Sequence, residues 1–276
     1  MNQESKKRGR PSKVQNVTYV PSLIDFSNIT PLNKLNIDKK MLEVMKSGLP
    51  IDELLSEEGG IPCASNYMMI GDPGVGKTTV LLDLLSAVQN KGRKCLFISG
   101  EMGRKQMFKY TERFKQFGII QTLFMADYMS YNTKDTIEQV LNMGWDCVLI
   151  DSAAEIIDGV RDDNGWDRKT AEAWFVDICI KHNKGENEGT KFTSFLAIQQ
   201  VTKAGEFVGS NKLKHLFDAM GEMRRQSEKE GGDTYITFSK NRNGNAGIKF
   251  SYQLNNDSIY YGKVVKEDNE DDSEAE

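Results

Sequence analysis

The chain has 276 residues, with 36 Lys and Arg against 40 Asp and Glu and a formal net charge of −4. That length, with 38% hydrophobic residues, suits one sizeable α/β domain with appendages. No apolar run approaches the roughly 18 residues of a membrane span, and the basic N-terminus lacks the apolar stretch of a signal peptide. Cys63, Cys95, Cys147 and Cys179 are scattered with no C-x-x-C pair. This argues for reduced thiols, no zinc site and a cytoplasmic setting.

Residues 1–35 read as a flexible basic arm carrying Lys6, Lys7, Arg8, Arg10 and Lys13, with breaks at Pro11, Pro21 and Pro31. Arg8 and Arg10, in Lys7-Arg8-Gly9-Arg10-Pro11, have the spacing of an AT-hook core. Such a segment lies extended in a narrow A·T-rich minor groove. A solvated basic tail is the plain alternative. The core is expected over 36–265, with 36–62 as a lead-in. Ile37, Met41, Leu42, Val44 and Met45 predict a short helix there, ending near Gly48.

Regular alternation then begins. Strands are predicted at 67–70, 94–98, 122–126, 146–150 and 195–198, with helices at 77–90, 103–117, 133–143, 168–183 and 211–218. Four further strands, at 221–225, 233–239, 247–254 and 258–265, read as a meander. Strands alternating with helices imply a twisted, mostly parallel sheet with helices on both faces, and the closing hairpins imply a C-terminal antiparallel extension. Residues 266–276 read as an acidic disordered tail.

The richest motif is Gly71-Asp72-Pro73-Gly74-Val75-Gly76-Lys77-Thr78-Thr79, a complete G-x-x-x-x-G-K-T loop between a predicted strand and a predicted helix. In such a loop backbone N–H groups close around phosphate oxygens and the helix N-terminus favours the anion. Lys77 is expected on the β- and γ-phosphates of ATP, and Thr78 on Mg²⁺. Cys147-Val148-Leu149-Ile150-Asp151 ends an apolar strand in a carboxylate, which makes Asp151 the second Mg²⁺-associated candidate. Glu101 follows the strand Phe97-Ile98-Ser99. It is either a water-activating base beside the γ-phosphate or a surface acid at a helix start.

This order of motifs resembles the RecA superfamily over about residues 45–255, especially its RadA/Sms and DnaB branches. Leu96-Phe97-Ile98-Ser99-Gly100-Glu101, with Gln106 and Glu112-Arg113-Phe114, is similar to the segment carrying the catalytic glutamate in RadA-like proteins, which implies that role for Glu101. Ile198-Gln199-Gln200-Val201-Thr202-Lys203 resembles the strand end that carries a γ-phosphate sensor, implying Gln200, with Gln199 as fallback. Ser239-Lys240-Asn241-Arg242-Asn243-Gly244 resembles the motif whose Lys and Arg reach a neighbouring subunit's triphosphate. Lys240 and Arg242 are therefore expected to act in trans, in a ring or filament. Asn243-Gly244 is also an ordinary hairpin turn, compatible with that role. Asn243 replaces the RadA aromatic, and neither a Cys₄ zinc module nor a DnaB-type N-terminal helical domain is seen.

The family's two DNA loops match about 158–170 and 202–211. The first mixes Arg161, Arg168 and Lys169 with four aspartates, and its Trp166 either stacks a base or packs under the loop. The second has Phe207 between Gly205 and Gly209 and lysines at Lys203, Lys212 and Lys214, in a helix start similar to that following the RadA DNA loop. The expected function is a Mg²⁺-dependent, DNA-stimulated ATPase acting on single-stranded DNA in recombination or repair. A replicative DnaB-type helicase is one alternative. A KaiC-like signalling or assembly ATPase without DNA is another.

Overall fold

The computed structural model describes residues 26, 27, 29–199, 209–226 and 233–265. The chain divides into two compact units, Met1–Ile37 and Asp38–Glu276. The described part of the first is exposed and holds one 3₁₀ turn, Leu32–Lys34.

The second unit carries strands β1 (Val44–Met45), β2 (Ile61–Pro62), β3 (Asn66–Gly71), β4 (Cys95–Ser99), β5 (Gln121–Phe124), β6 (Cys147–Asp151), β7 (Ser194–Ile198), β8 (Ala219–Arg225), β9 (Thr234–Asn241), β10 (Lys249–Leu254) and β11 (Ile259–Val265). Helices are α1 (Asp52–Leu55), α2 (Lys77–Asn90), α3 (Arg104–Arg113), α4 (Thr133–Asn142), α5 (Ala153–Asn164), α6 (Arg168–Asn183) and α7 (Asn211–Leu216). β1 and β2 form a small antiparallel pair. The other strands form one sheet in the order β11-β10-β9-β8-β3-β7-β6-β4-β5. From β8 to β5 all neighbours are parallel, and β8 through β11 form an antiparallel meander.

Strands β3, β4, β6 and β7 are buried at every position, as a parallel sheet covered on both faces requires. Their side chains divide with period two. Tyr67, Met69, Phe97, Leu149 and Leu196 join one core with Val80, Leu84 and Val88 of α2 and Met107 of α3. Met68, Ile70, Ile98, Val148 and Phe195 join a second core with Ile137, Ile156, Val160, Phe175 and Leu213 from α4 to α7. β8 instead alternates, burying Ala219, Gly221 and Met223, the pattern of an antiparallel strand with one covered face.

Two sequence expectations change. The helix predicted over Ile37–Met45 is a 3₁₀ turn, Lys39–Leu42, followed by β1. Asp38 accepts from the Lys40 N–H at 2.9 Å, and buried Met45 pairs with Ile61, so local turn chemistry and strand pairing override the apolar spacing. The segment matched to a first DNA loop, 158–170, is mostly helical. α5 runs to Asn164, Gly165 closes it with φ 63°, and Asp167 caps α6 through the Thr170 N–H at 2.7 Å.

Candidate active site

β3 delivers the glycine loop and α2 receives it. Gly71 and Gly76 have φ of 150° and 100°, in the region that favours glycine. A Cβ at Gly71 would strike the Met223 carbonyl of β8, and one at Gly76 would strike the Leu254 side chain. At Gly71 the backbone therefore passes where no side chain fits, and at Gly76 where one fits only if Leu254 shifts. No side chain caps the start of α2, so its first N–H groups are available to an anion. Tyr252 of β10 ties the loop from outside, its hydroxyl donating to the Val75 carbonyl at 2.6 Å.

The Lys77 ammonium donates to the Gly71 and Asp72 carbonyls at 2.7 and 3.0 Å. Burial lowers its pKa, and Asp151, Asp72 and Glu101 work against that shift. Thr78 donates its hydroxyl to Asp151 Oδ2 at 2.6 Å. Asp151 ends β6 and is only 4% exposed. Burial pushes its carboxyl up to about 6, the Thr78 hydrogen bond and Lys77 opposing and Glu101 reinforcing the shift. The peptide bond after Asp151 is cis.

Glu101 reaches the same cleft through main-chain geometry. Ser99 and Asp151 are register partners on β4 and β6, and the Asp151 carbonyl accepts from the Gly100 and Glu101 N–H groups at 2.7 and 3.3 Å. The exposed Glu101 side chain lines a cleft of about 480 Å³ with Gly74, Thr79, Lys77, Thr78 and Asp151. A glycine cradle, an uncapped helix start, one ammonium, and a hydroxyl paired with a carboxylate suit a triphosphate with a hard cation.

Sequence reasoning missed four residues of this cleft. Ile198 ends β7 and Leu254 ends β10, and Tyr110 and Arg113 come from α3. Arg113 donates to the Asn255 carbonyl at 2.6 Å and to the Asn256 carbonyl, tying α3 to the β10–β11 turn. Their signal was the i, i+3 spacing on the helix that opens just after Glu101.

Lys240 and Arg242 lie elsewhere. Lys240 pairs with Met220 at the start of β8, whereas Met223 of the same strand pairs with Gly71. β8 runs parallel to β3, so the two cations sit at the opposite end of the sheet from the loop. Tyr67, level with Ala219, and Gly71 are four strand residues apart, about 13 Å. Lys240 donates to the Phe217 carbonyl at 2.5 Å, and Arg242 faces Asp218 at 3.5 Å. Gln199 follows β7 and is buried, its N–H donating to the Met69 carbonyl at 3.1 Å. Gln200, Lys203, Phe207, Arg8 and Arg10 lie outside the described residues.

Of the three cations of 158–170, the two arginines are used internally. Arg161 pairs with Asp158 and Asp162, both at 2.8 Å, and Arg168 pairs with Asp158 and Glu172, both at 3.1 Å. Trp166 packs against the second core. Lys212 and Lys214 are exposed on α7, with Asp177 3.7 Å from Lys212. No helix among the described residues is long and apolar enough to cross a membrane.

The family model "ATPase: KaiC" matches residues 45–126. The DNA repair protein RadA of Mycobacterium tuberculosis (strain CDC 1551 / Oshkosh) is 25% identical over 201 residues, 73% of this chain. RadA of Chlamydia muridarum is 28% identical over 163 residues, 59% of the chain. The chain spans 40% and 33% of the lengths of these relatives. A crystal structure of a KaiC-like protein from Pyrococcus horikoshii OT3 superposes with a TM-score of 0.60 at 17% identity, covering 82% of this chain and all of that one. The chain therefore has a KaiC-like, RecA-type P-loop ATPase fold, and its core resembles the DNA repair protein RadA.

Proposed function

We propose that this chain is a Mg²⁺-dependent ATP hydrolase that works as an oligomer on single-stranded DNA in recombination or repair. The observation that carries the chemistry is the convergence of Lys77, Thr78, Asp151 and Glu101 on one cleft, from the ends of the neighbouring strands β4 and β6 and from the helix after β3. Lys77 and the α2 N–H groups bind the phosphates, and Thr78 and Asp151 hold the cation, which draws charge from the phosphoryl oxygens. Glu101 orients water and takes its proton, and Gln200 senses the γ-phosphate. Lys240 and Arg242, remote from their own loop, complete the neighbour's site. The DNA reading is supported by the similarity to RadA and by the exposed Lys212 and Lys214.

A KaiC-type ATPase that takes no DNA is the second reading. The internal pairing of Arg161 and Arg168 with carboxylates favours it. Steady-state ATP hydrolysis with and without single-stranded DNA, for wild type and Glu101→Gln, separates the two. The first reading expects DNA to stimulate turnover and Glu101→Gln to abolish it, by about 10²-fold or more. Brisk turnover indifferent to DNA, with no DNA binding at low salt, selects the second.

A further inference from the structure

α7 is six residues long, too short to be stable by its own hydrogen bonds. It is held at both ends by side chains from other elements. At its start, Ser210 Oγ accepts from the Leu213 N–H at 3.3 Å, and the Ser210 N–H donates to buried Glu172 at 3.1 Å. At its end, the last carbonyls of a helix need donors from outside it. Asn66 Nδ2 donates to the Leu216 carbonyl at 3.4 Å. The Lys240 ammonium donates to the Lys214 carbonyl at 3.4 Å and to the Phe217 carbonyl at 2.5 Å. It thus places a full positive charge at the negative end of the helix.

Arg242 docks on the same junction. Its N–H donates to the Asp218 carbonyl at 3.0 Å and its guanidinium faces Asp218 Oδ1 at 3.5 Å. Asp218 is itself fixed to β3, accepting from the Asn66 N–H at 2.9 Å and donating to the Asn66 carbonyl at 2.8 Å. The two cations assigned to a neighbour's nucleotide therefore rest on the α7–β8 junction of their own protomer. One ammonium cannot cap α7 and reach a phosphate outside the protomer at the same time.

We propose that Lys240 has two stations, the C-terminus of α7 in its own protomer and the triphosphate of a second copy, and that moving to the second uncaps α7. This rests on the trans role given to Lys240 above. α7 directly follows 200–208, the segment that holds Gln200, Lys203 and Phe207. A nucleotide bound in one copy thus loosens α7 in the next. The Arg242 main chain stays on Asp218 when the side chains move, because its N–H donates to the Asp218 carbonyl.

Hydrogen exchange of the α7 amides in the full chain tests this, for wild type, Lys240→Met, Lys240→Arg and Arg242→Gln. In nucleotide-free protein, Lys240→Met is expected to speed α7 exchange roughly tenfold or more, the scale of losing a charge-assisted hydrogen bond. Lys240→Arg and Arg242→Gln are expected to leave it near wild type. Adding ATPγS and Mg²⁺ under assembling conditions is expected to raise wild-type exchange towards the Lys240→Met level and to leave Lys240→Met unchanged. Wild-type protection in nucleotide-free Lys240→Met, or no response of wild type to ATPγS, overturns the proposal. Mixing Lys240→Met copies with Lys77→Ala copies reads the trans role separately. Recovered turnover supports it, and none recovered while free Lys240→Met still exchanges fast overturns the trans reading and leaves the cap standing.

Discussion

The Thr78 hydroxyl donates to Asp151 Oδ2 at 2.6 Å, joining the first turn of α2 to the end of β6 across 73 residues of sequence. Asp151 is buried, and that pushes its carboxyl from 3.8 up to about 6. A carboxyl raised on folding contributes stability that is complete below its unfolded pKa and lost as pH rises through the folded value. Ionised Asp151 is therefore a cost in the nucleotide-free protein at neutral pH, of up to about 3 kcal/mol. Asp151→Asn is expected to raise the Tm of nucleotide-free protein at pH 8, by about 2–4 °C per kcal/mol gained, with no gain near pH 4. The same variant is expected to lose Mg²⁺-dependent nucleotide binding, and wild-type affinity is expected to fall as pH drops below about 6. Thermal melts and titrations with a fluorescent nucleotide across pH check both outcomes.

The two glycines that bend the loop differ in what surrounds them. At Gly71 the obstacle is the Met223 backbone, which cannot move aside, and at Gly76 it is the end of the Leu254 side chain, which can. Gly76→Ala is expected to cost about 1–3 kcal/mol, the scale of a strained backbone position, and Gly71→Ala more than that. Urea unfolding of the two variants gives the comparison, and equal losses would show that the β8 backbone yields.

His182 is buried on α6, and burial pushes its imidazole down to about 4. A histidine whose pKa is depressed on folding contributes stability that is present above its unfolded pKa and lost as pH falls through the folded value. Stability is expected to drop by up to about 3 kcal/mol between pH 6.5 and 4 from this group. His182→Leu is expected to flatten that window without affecting turnover at pH 7.5. Urea midpoints at several pH values measure it.

If single-stranded DNA is the substrate, its phosphates meet α7 and not α5. Lys212→Ala and Lys214→Ala are each expected to weaken binding at low salt and to reduce the salt slope by about 0.7. Arg161→Ala is expected to leave the slope unchanged, because its guanidinium already serves Asp158 and Asp162. Binding isotherms over a range of salt separate these effects.

Much of the α/β alternation and the Gly71–Thr79 loop was legible in the sequence because each rests on near neighbours. Four to six buried apolar residues make a strand, and a glycine at the right offset makes a turn. α5 was legible too, although 158–170 was read as a loop. Ser152 three residues before Glu155, then Ile156, Ile157 and Val160, mark a helix start and its buried face. Its mixed aspartates and arginines read instead as a charged loop, and of their ion pairs the Arg168–Asp158 bridge exists only because α6 packs against α5.

By itself the sequence determined the local grammar: a phosphate loop between strand and helix, a carboxylate at the end of an apolar strand, and a closing meander. Only the tertiary structure decided which of these meet. Strand order is a property of pairings between distant segments, and it alone sets Ser99 beside Asp151 and so brings Glu101 to the cleft. The same order, with β9 antiparallel to β8, carries Lys240 and Arg242 away from their own loop and onto the end of α7. Chain direction within a sheet is set by long-range hydrogen bonding and burial, and no window of neighbouring residues contains it.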